Sequence, residues 1–549
     1  MEREVAQFVR YVVSDVMHFD VPDEIPGDFP LGPTGLGLES VEILELVDQL
    51  NRRFNLPRAA AVDDVRGMDM NALSAHVASV AADHWLAFGL LEGGKDGSSD
   101  DDVIWITDGA EVTRAELHHR TDTLAAEFAA EGIGDSCRVA VQMEPGITGL
   151  ASVLALWRRG ATVALLDHRL TPAETEGLLA AAGAGMHLRS RPSDAMVGSF
   201  AIEQDWQLER LAGAEPVPCG ELAPGGVRLI QFSSGSTGQA KCIGRTAGSL
   251  RDELARYAAV DGIPQPGEKL LVLCSPFHTW GLIGGVLYGL EHSVPVVFPA
   301  GPLPADAIRA ARSAEAVAIY GVPLHFQLLA DAGESGDLPS LRLAVSAGEM
   351  LQPSLRDEFQ RVFGCPLGAI YGLTEVGLVA HDLHGRHALP AVGTPASELE
   401  IRVRDEILEI SLPVSPYLTD DGVPRYVDGW LRTFDRAEID PETGVLALKG
   451  RADSLFVVGG LKVDLLEVEK VLLDHPQVDD AVVLGADVLE AYIGSDRGVK
   501  VADLVSWCQK RLSGSKLPKR FTIVPRLPRT SNGKLVRDRG RLAVEGSQN

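Results

Sequence analysis

From Val103 onward, short apolar runs such as RVAVQM, TVALL, KLLVLCS, AVAIY and LRLAVS alternate with helical stretches such as AELHHRTDTLAAEFAAEG. Apolar strands separated by helices pair through crossovers, so this alternation predicts an α/β domain built on largely parallel sheets. At 549 residues the chain exceeds what one core serves, and two to four domains are expected. A formal charge of −27 opposes attraction to nucleic-acid phosphates or anionic lipid headgroups, so neither nucleic acid nor membrane is expected as a partner. The most apolar stretch, 270–298, is interrupted by Ser275, His278, Glu291 and His292, which suits buried strands better than a membrane span. Six scattered cysteines without a CxxC pair fit a reducing compartment, and a cytoplasmic location is expected.

Residues 1–85 read differently. Apolar positions recur with helical spacing in VAQFVRYVVSDV, SVEILELVDQLNRRF and MNALSAHVASVAA, predicting a compact helical bundle. It carries 15 acidic against 6 basic residues, a net of −9, a surface suited to docking basic partners. Residues 86–102, centred on LEGGKDGSSDDD, read as a flexible linker. Residues 103–449 form the large α/β part, and 450–549 a smaller α+β part. Between Lys516 and Arg541 the latter carries nine basic residues against one acidic, a surplus expected to face phosphates or receive an acidic carrier.

Ser40, in LGLESVEILELV, stands directly before an amphipathic helix, where serine is a preferred N-cap. The segment also resembles acyl and peptidyl carrier proteins, with Glu39, Ser40 and Val41 at their Asp-Ser-Leu motif. That resemblance implies a four-helix carrier bundle whose Ser40 bears 4′-phosphopantetheine, with a phosphopantetheinyl transferase and downstream biosynthetic enzymes as partners. Capping and attachment are compatible. The acidic face of Glu42, Glu45 and Asp48 is read either as a recognition surface or as an ordinary solvated helix face.

In LIQFSSGSTGQAKCIGRT, glycines admit close backbone approach to phosphate oxygens, hydroxyls donate and a lysine supplies charge. The spacing is not that of a Walker loop. It resembles the phosphate loop of the acyl-adenylate-forming superfamily, implying that Ser233, Ser234, Gly235, Ser236, Thr237, Gly238 and Lys241 bind ATP. IYGLTEVG resembles that superfamily's aromatic-Gly-x-Thr-Glu segment, implying nucleotide contact by Tyr371, phosphate binding by Thr374 and Mg²⁺ binding by Glu375, a hard ligand for a hard cation. SAGEM, with Gly348 and Glu349, resembles the turn lying against adenine. GWLRTFDRAEID resembles the element gripping ribose, with Asp435 as the carboxylate and Phe434 where relatives have glycine. GRADSLFVVGG resembles the inter-domain joint, implying ribose contact by Arg451 and a hinge at Asp453. Many relatives carry a lysine where Val457 stands. LPRTSNGK resembles the segment whose lysine, here Lys534, enters the site for adenylation.

The resemblance implies ATP-dependent activation of a carboxylic acid, then thioester formation after rotation about the hinge. Negative charge converging on the α-phosphorus calls for cations, and Lys534, Lys241 and Mg²⁺ are the candidates. Amino-acid-activating relatives place an aspartate where PFHTWG has His278, so an aryl or aliphatic acid without an α-amino group is expected, unless His278 is merely structural. Trp280, Tyr320, Ser346, Gly348 and Gly372 are the further pocket candidates. Transfer to free coenzyme A, amino-acid activation and an inactive docking scaffold are the alternatives.

Overall fold

The computed structural model describes residues 2–19, 27–31, 36–54, 65, 68–92, 99–107, 110–135, 137–191, 200, 203–211, 226–233, 241–419, 422–458, 461–485, 488–530 and 533–546. At the N-terminus, helices Glu2–Tyr11, Ser40–Phe54 and Met70–His84 bury the apolar stripes that the sequence spacing predicts. Val5, Val9, Val13, Ile43, Leu46, Leu50, Leu73 and Val77 share one core. Asp69 caps the third helix by accepting from Ala72 N at 2.8 Å.

The predicted linker is corrected over residues 86–92. The third helix continues through Trp85–Gly89 and Leu90–Glu92. Its continuation is apolar, and Leu86, Leu90 and Leu91 bury beside Trp105, Leu117 and Phe128 of the large part. One helical rod thus serves two cores: Leu73 and Val77 belong to the bundle, Leu86 and Leu90 to the α/β part. Its end is capped by buried Arg114, whose Nη1 donates to Leu91 O at 3.0 Å and to Leu90 O at 3.4 Å. Arg228 grips Asp83 with two bonds of 2.9 and 3.0 Å, and Trp85 Nε1 donates to Glu291 at 2.8 Å. Residues 93–98 lie outside the described set.

The α/β expectation is met. Strands Val103–Thr107, Val296–Val297, Leu270–Val272, Ala318–Gly321, Leu343–Ala347 and Leu367–Leu373 pair in parallel, each with the next. Antiparallel strands, beginning with Gly377–Asp382 and Ala391–Pro395, extend this into a 14-stranded sheet. A six-stranded sheet centres on Arg138–Gln142 and Thr162–Leu165, with Leu229–Ser233 and Lys241–Arg245 at one edge. Val139 and Val163 of one sheet and Val296 and Val345 of the other share a core with helix Ile147–Arg158. Among the described residues no helix is long and apolar enough to cross a membrane.

The boundary predicted at 450 moves to the far side of Arg451, because strand Leu446–Arg451 pairs with Trp430–Ile439 inside the large sheet. A turn, Ala452–Ser454, and the hairpin Leu455–Val458 with Leu461–Asp464 lead into the small part. There, strands Asp480–Gly485, Leu489–Gly494 and Arg520–Val524 pack against helices Leu465–Leu473 and Val501–Gln509. The basic surplus of its last stretch is corrected as well. Lys516 pairs with Glu467, Arg537 with Glu469, Arg529 with Asp480, and both Arg520 and Arg539 with Glu490. Glu469 and Glu490 are buried, so these arginines chiefly neutralise carboxylates of their own domain.

Candidate active site

Lys534 sits on the returning arm of a turn closed between Arg529 and Leu535. Thr530 N donates to Lys534 O at 2.7 Å and Gly533 N to Thr530 O at 2.9 Å, while Arg529 bridges to Leu535. This return docks on the SAGEM turn of the large part: Leu535 N donates to Glu349 Oε1 at 3.1 Å, and Arg529 Nη1 lies 3.6 Å from Glu349 Oε2. Gly348 has φ +91°, and a methyl group there would stand 3.4 Å from Lys534 Cε. That backbone conformation is one L side chains rarely adopt, and it brings the turn into van der Waals reach of the lysine. Burial lowers the Lys534 ammonium from the ordinary lysine value, opposed by Glu349, Glu375 and Asp435, with Arg451 adding to the lowering. Burial raises the Glu349 carboxyl, opposed by Arg529, by the Leu535 amide and by Lys534. Glu349 therefore has a second task beside the nucleotide contact expected of it, holding the small part in place.

Asp435 is 7% exposed and held at each oxygen: Arg451 Nη1 donates to Oδ1 at 2.9 Å, Tyr371 Oη donates to Oδ2, and its own amide donates to Thr433 Oγ1 at 3.0 Å. Arg451 thus holds the carboxylate that the sequence assigns to ribose. Phe434 takes φ +64°, the left-handed backbone that glycine favours, so the local geometry is kept although the residue is not. The Arg425 guanidinium lies 5.3 Å from the Phe434 ring.

Thr374 and Glu375 occupy the turn between Leu367–Leu373 and Gly377–Asp382. Tyr417 Oη donates to Glu375 Oε1 at 2.8 Å. Lys241 begins strand Lys241–Arg245, registered opposite Ser233. Ser234, Gly235, Ser236, Thr237 and Gly238 lie outside the described residues, as do the side chains of Ser40 and Asp453.

Ser233, His278, Trp280, Gly348, Gly372, Thr374 and Lys534 line one cavity of about 730 Å³. Ser233 Oγ and Thr530 Oγ1, both lining it, are buried without a hydrogen-bond partner among the described residues. Two unsatisfied hydroxyls beside an enclosed cation fit phosphate oxygens. A single carboxylate, Glu375, fits a cation that takes most of its ligands from phosphate and water, as magnesium does. Among the described residues no cluster of three or more His, Cys, Asp or Glu could hold a metal alone.

His278 Nε2 lies 3.7 Å from Asp167, a partner that sequence reasoning missed. Trp280 stacks on Tyr320 with centroids 4.5 Å apart, so Tyr320 backs the wall that Trp280 forms. Ser346, 2% exposed, is the last but one residue of strand Leu343–Ala347, which leads into Gly348. His325 was also missed. Burial lowers its pKa to about 4, and its Nδ1 accepts from Val322 N at 3.2 Å, so the neutral ring carries its proton on Nε2. It follows a proline within an apolar helix and carries no spacing signal.

The chain matches the AMP-binding enzyme family over residues 96–413 and the AMP-binding enzyme C-terminal domain over 467–534. It is 30% identical over 466 residues to p-hydroxybenzoic acid–AMP ligase FadD22 of Mycobacterium tuberculosis, covering 78% of this chain and 64% of that protein's length. It is 25% identical to 2-succinylbenzoate–CoA ligase of Listeria innocua, covering 79% and 95%. Its fold is that of O-succinylbenzoate coenzyme A synthetase from Bacillus subtilis in complex with AMP, with TM-score 0.69, 22% identity and coverage of 83% and 97%. Benzoate CoA ligase from Burkholderia xenovorans matches with TM-score 0.67, 20% identity and coverage of 83% and 99%. The family match runs over more than half of the chain and takes in the six-stranded sheet, the parallel strands of the large one, Thr374, Glu375 and Lys534, and the chain therefore belongs to the AMP-binding enzyme family.

Proposed function

We propose that this chain spends ATP to activate a carboxylic acid as its acyl adenylate, releasing pyrophosphate, and then passes the acyl group to a phosphopantetheine thiol. The observation that carries this reading is Lys534, brought by the small part into the cleft against the Gly348 turn and facing Glu349, Glu375 and Asp435. In the first step a carboxylate oxygen attacks the α-phosphorus and the bond to pyrophosphate breaks. The acid is already ionised at neutral pH, so no side-chain base or nucleophile is required. Lys534 and Lys241 supply positive charge where negative charge gathers, Ser233, Thr374 and Thr530 supply hydroxyl donors, and Asp435, held by Arg451 and Tyr371, accepts from ribose. Glu375 would hold Mg²⁺, which lowers the charge of the phosphates when bound. In the second step the thiol attacks the mixed anhydride and AMP leaves, which requires Lys534 to withdraw by rotation about Asp453.

The acid we propose is an aryl acid without an α-amino group. His278, braced by Asp167, stands where an amine-binding carboxylate would, and the stacked Trp280 and Tyr320 suit a flat ring. FadD22, which acts on p-hydroxybenzoic acid, is consistent with that class. The thiol we propose is a 4′-phosphopantetheine arm on Ser40, attached by a phosphopantetheinyl transferase and read by downstream enzymes. Transfer to free coenzyme A is the second reading. It is favoured by the rod Met70–Glu92, which fixes the bundle to the large part where a free tether was expected.

A pyrophosphate-exchange panel tests the acid: turnover with aryl acids is expected, and strong turnover with an α-amino acid and none with aryl or aliphatic acids refutes the reading. Mass measurement after incubation of the phosphopantetheinylated chain with ATP and acid tests the acceptor. Acyl mass on Ser40 supports self-loading, and acyl-CoA with none on Ser40 supports the second reading.

A further inference from the structure

Strand Lys241–Arg245 leaves the phosphate loop with a lysine at one end and, four residues on, an arginine that is 2% exposed. Alternation along a strand puts both on the same face. A buried guanidinium must spend its donors. Arg245 Nε donates to Ser249 Oγ at 3.1 Å, Nη1 to Thr374 O at 3.2 Å, and Nη2 to Glu253 Oε2 at 2.8 Å and Ser249 O at 3.0 Å. Glu253 is 0% exposed and sits on the helix Ala247–Ala258, whose N-cap Thr246 directly follows Arg245. From the same helix Arg256 Nη2 donates to Val376 O at 2.7 Å. The carbonyls of Thr374 and Val376 are thus each held by a guanidinium. The turn is closed from its other end by Gly377, with φ +86°, where a methyl group would fall 1.9 Å from the Glu253 carboxyl carbon.

We infer that Arg245, with Glu253 as its counter-charge, is a positioning residue that locks the Thr374–Glu375 turn to the strand carrying Lys241, so that hydroxyl, carboxylate and lysine meet the ATP phosphates in fixed register. This rests on the nucleotide reading above and adds the element that sets the geometry of its phosphate end. Asp435, expected at ribose, is held by a different pair, Arg451 and Tyr371. Loosening the turn therefore weakens MgATP far more than AMP.

Titration calorimetry with MgATP and with AMP, in the absence of acid, separates the cases. Arg245→Met is expected to weaken MgATP tenfold or more and to raise the Mg²⁺ concentration for half-maximal binding, while AMP changes less than threefold. Arg245→Lys keeps a charge opposite Glu253 and loses the fork, so it serves if the first variant does not fold, with an expected loss of about threefold for MgATP alone. Equal loss for MgATP and AMP, or a folded variant with unchanged MgATP affinity, would overturn the inference and leave the function standing. Wild-type chain binding neither nucleotide would overturn both.

Discussion

The large part is joined to its neighbours by two joints made of different materials. On the N-terminal side a continuous helix drives Leu86, Leu90 and Leu91 into the core, and buried Arg114 satisfies its last carbonyls. On the C-terminal side the chain crosses on the three-residue turn Ala452–Ser454, with Arg436 Nη1 3.5 Å from Asp464. The docked lysine return is held there by Leu535 on Glu349, by Arg529 at 3.6 Å from Glu349, and by Arg541 at 3.5 Å from Glu174. Apolar burial makes a joint that stays shut; a few polar contacts make one that can be exchanged for others. Apolar burial therefore dominates the joint at one end of the large part, and polar contacts the joint at the other.

The difference can be broken at its stronger side first. Leu90→Ala should cost about 2–5 kcal/mol in chemical denaturation, and the bundle and large part of the wild type should unfold in one transition. Two well-separated transitions in the wild type would mean the rod does not couple them. Next comes the electrostatics of the docked lysine. Because its folded pKa is lowered, the cation is lost as pH rises through that value, so adenylate formation should fall off at lower pH than an ordinary lysine titration would allow. Lys534→Arg should move that alkaline limb upward in a pH profile of pyrophosphate exchange. Phe434→Gly should relieve the left-handed backbone and raise stability by about 1 kcal/mol, read as a higher Tm, with the 5.3 Å Arg425 contact as the offset. Smallest is Arg541→Ala. Its side chain is 57% exposed where it meets Glu174, so stability should change by less than about 1 kcal/mol, an outcome that sharpens the contrast with Leu90.

What could be read from the residues follows the same contrast. TVALL, AVAIY and LRLAVS are strands Thr162–Leu165, Ala318–Gly321 and Leu343–Ala347, because a buried parallel strand is apolar on both faces and announces itself. Lys534, Glu375 and Asp435 were found through ordered motifs, and the cleft brings all three together. The rod through 86–92 was hidden because Gly89 and the Gly-rich run after Glu92 resemble a linker, and its burial depends on partners more than a hundred residues away, such as Glu291. Arg245 and Glu253 were missed for a related reason. A charged residue on a strand or helix reads as surface, and only the fold shows it buried against Thr374 and Val376. The basic tail was misread because its carboxylate partners, Glu469 and Glu490, lie in other elements of the small part.

We propose that the small part delivers Lys534 for the first half-reaction and removes it for the second. Lys534→Ala tested in two assays addresses this directly, one following acid-dependent pyrophosphate exchange and the other thioester formation from supplied acyl adenylate. A loss of about 100-fold or more is expected in exchange, the scale of removing one preorganised charge, with thioester formation near the wild-type rate. An equal loss in both assays, or none in exchange, would contradict it.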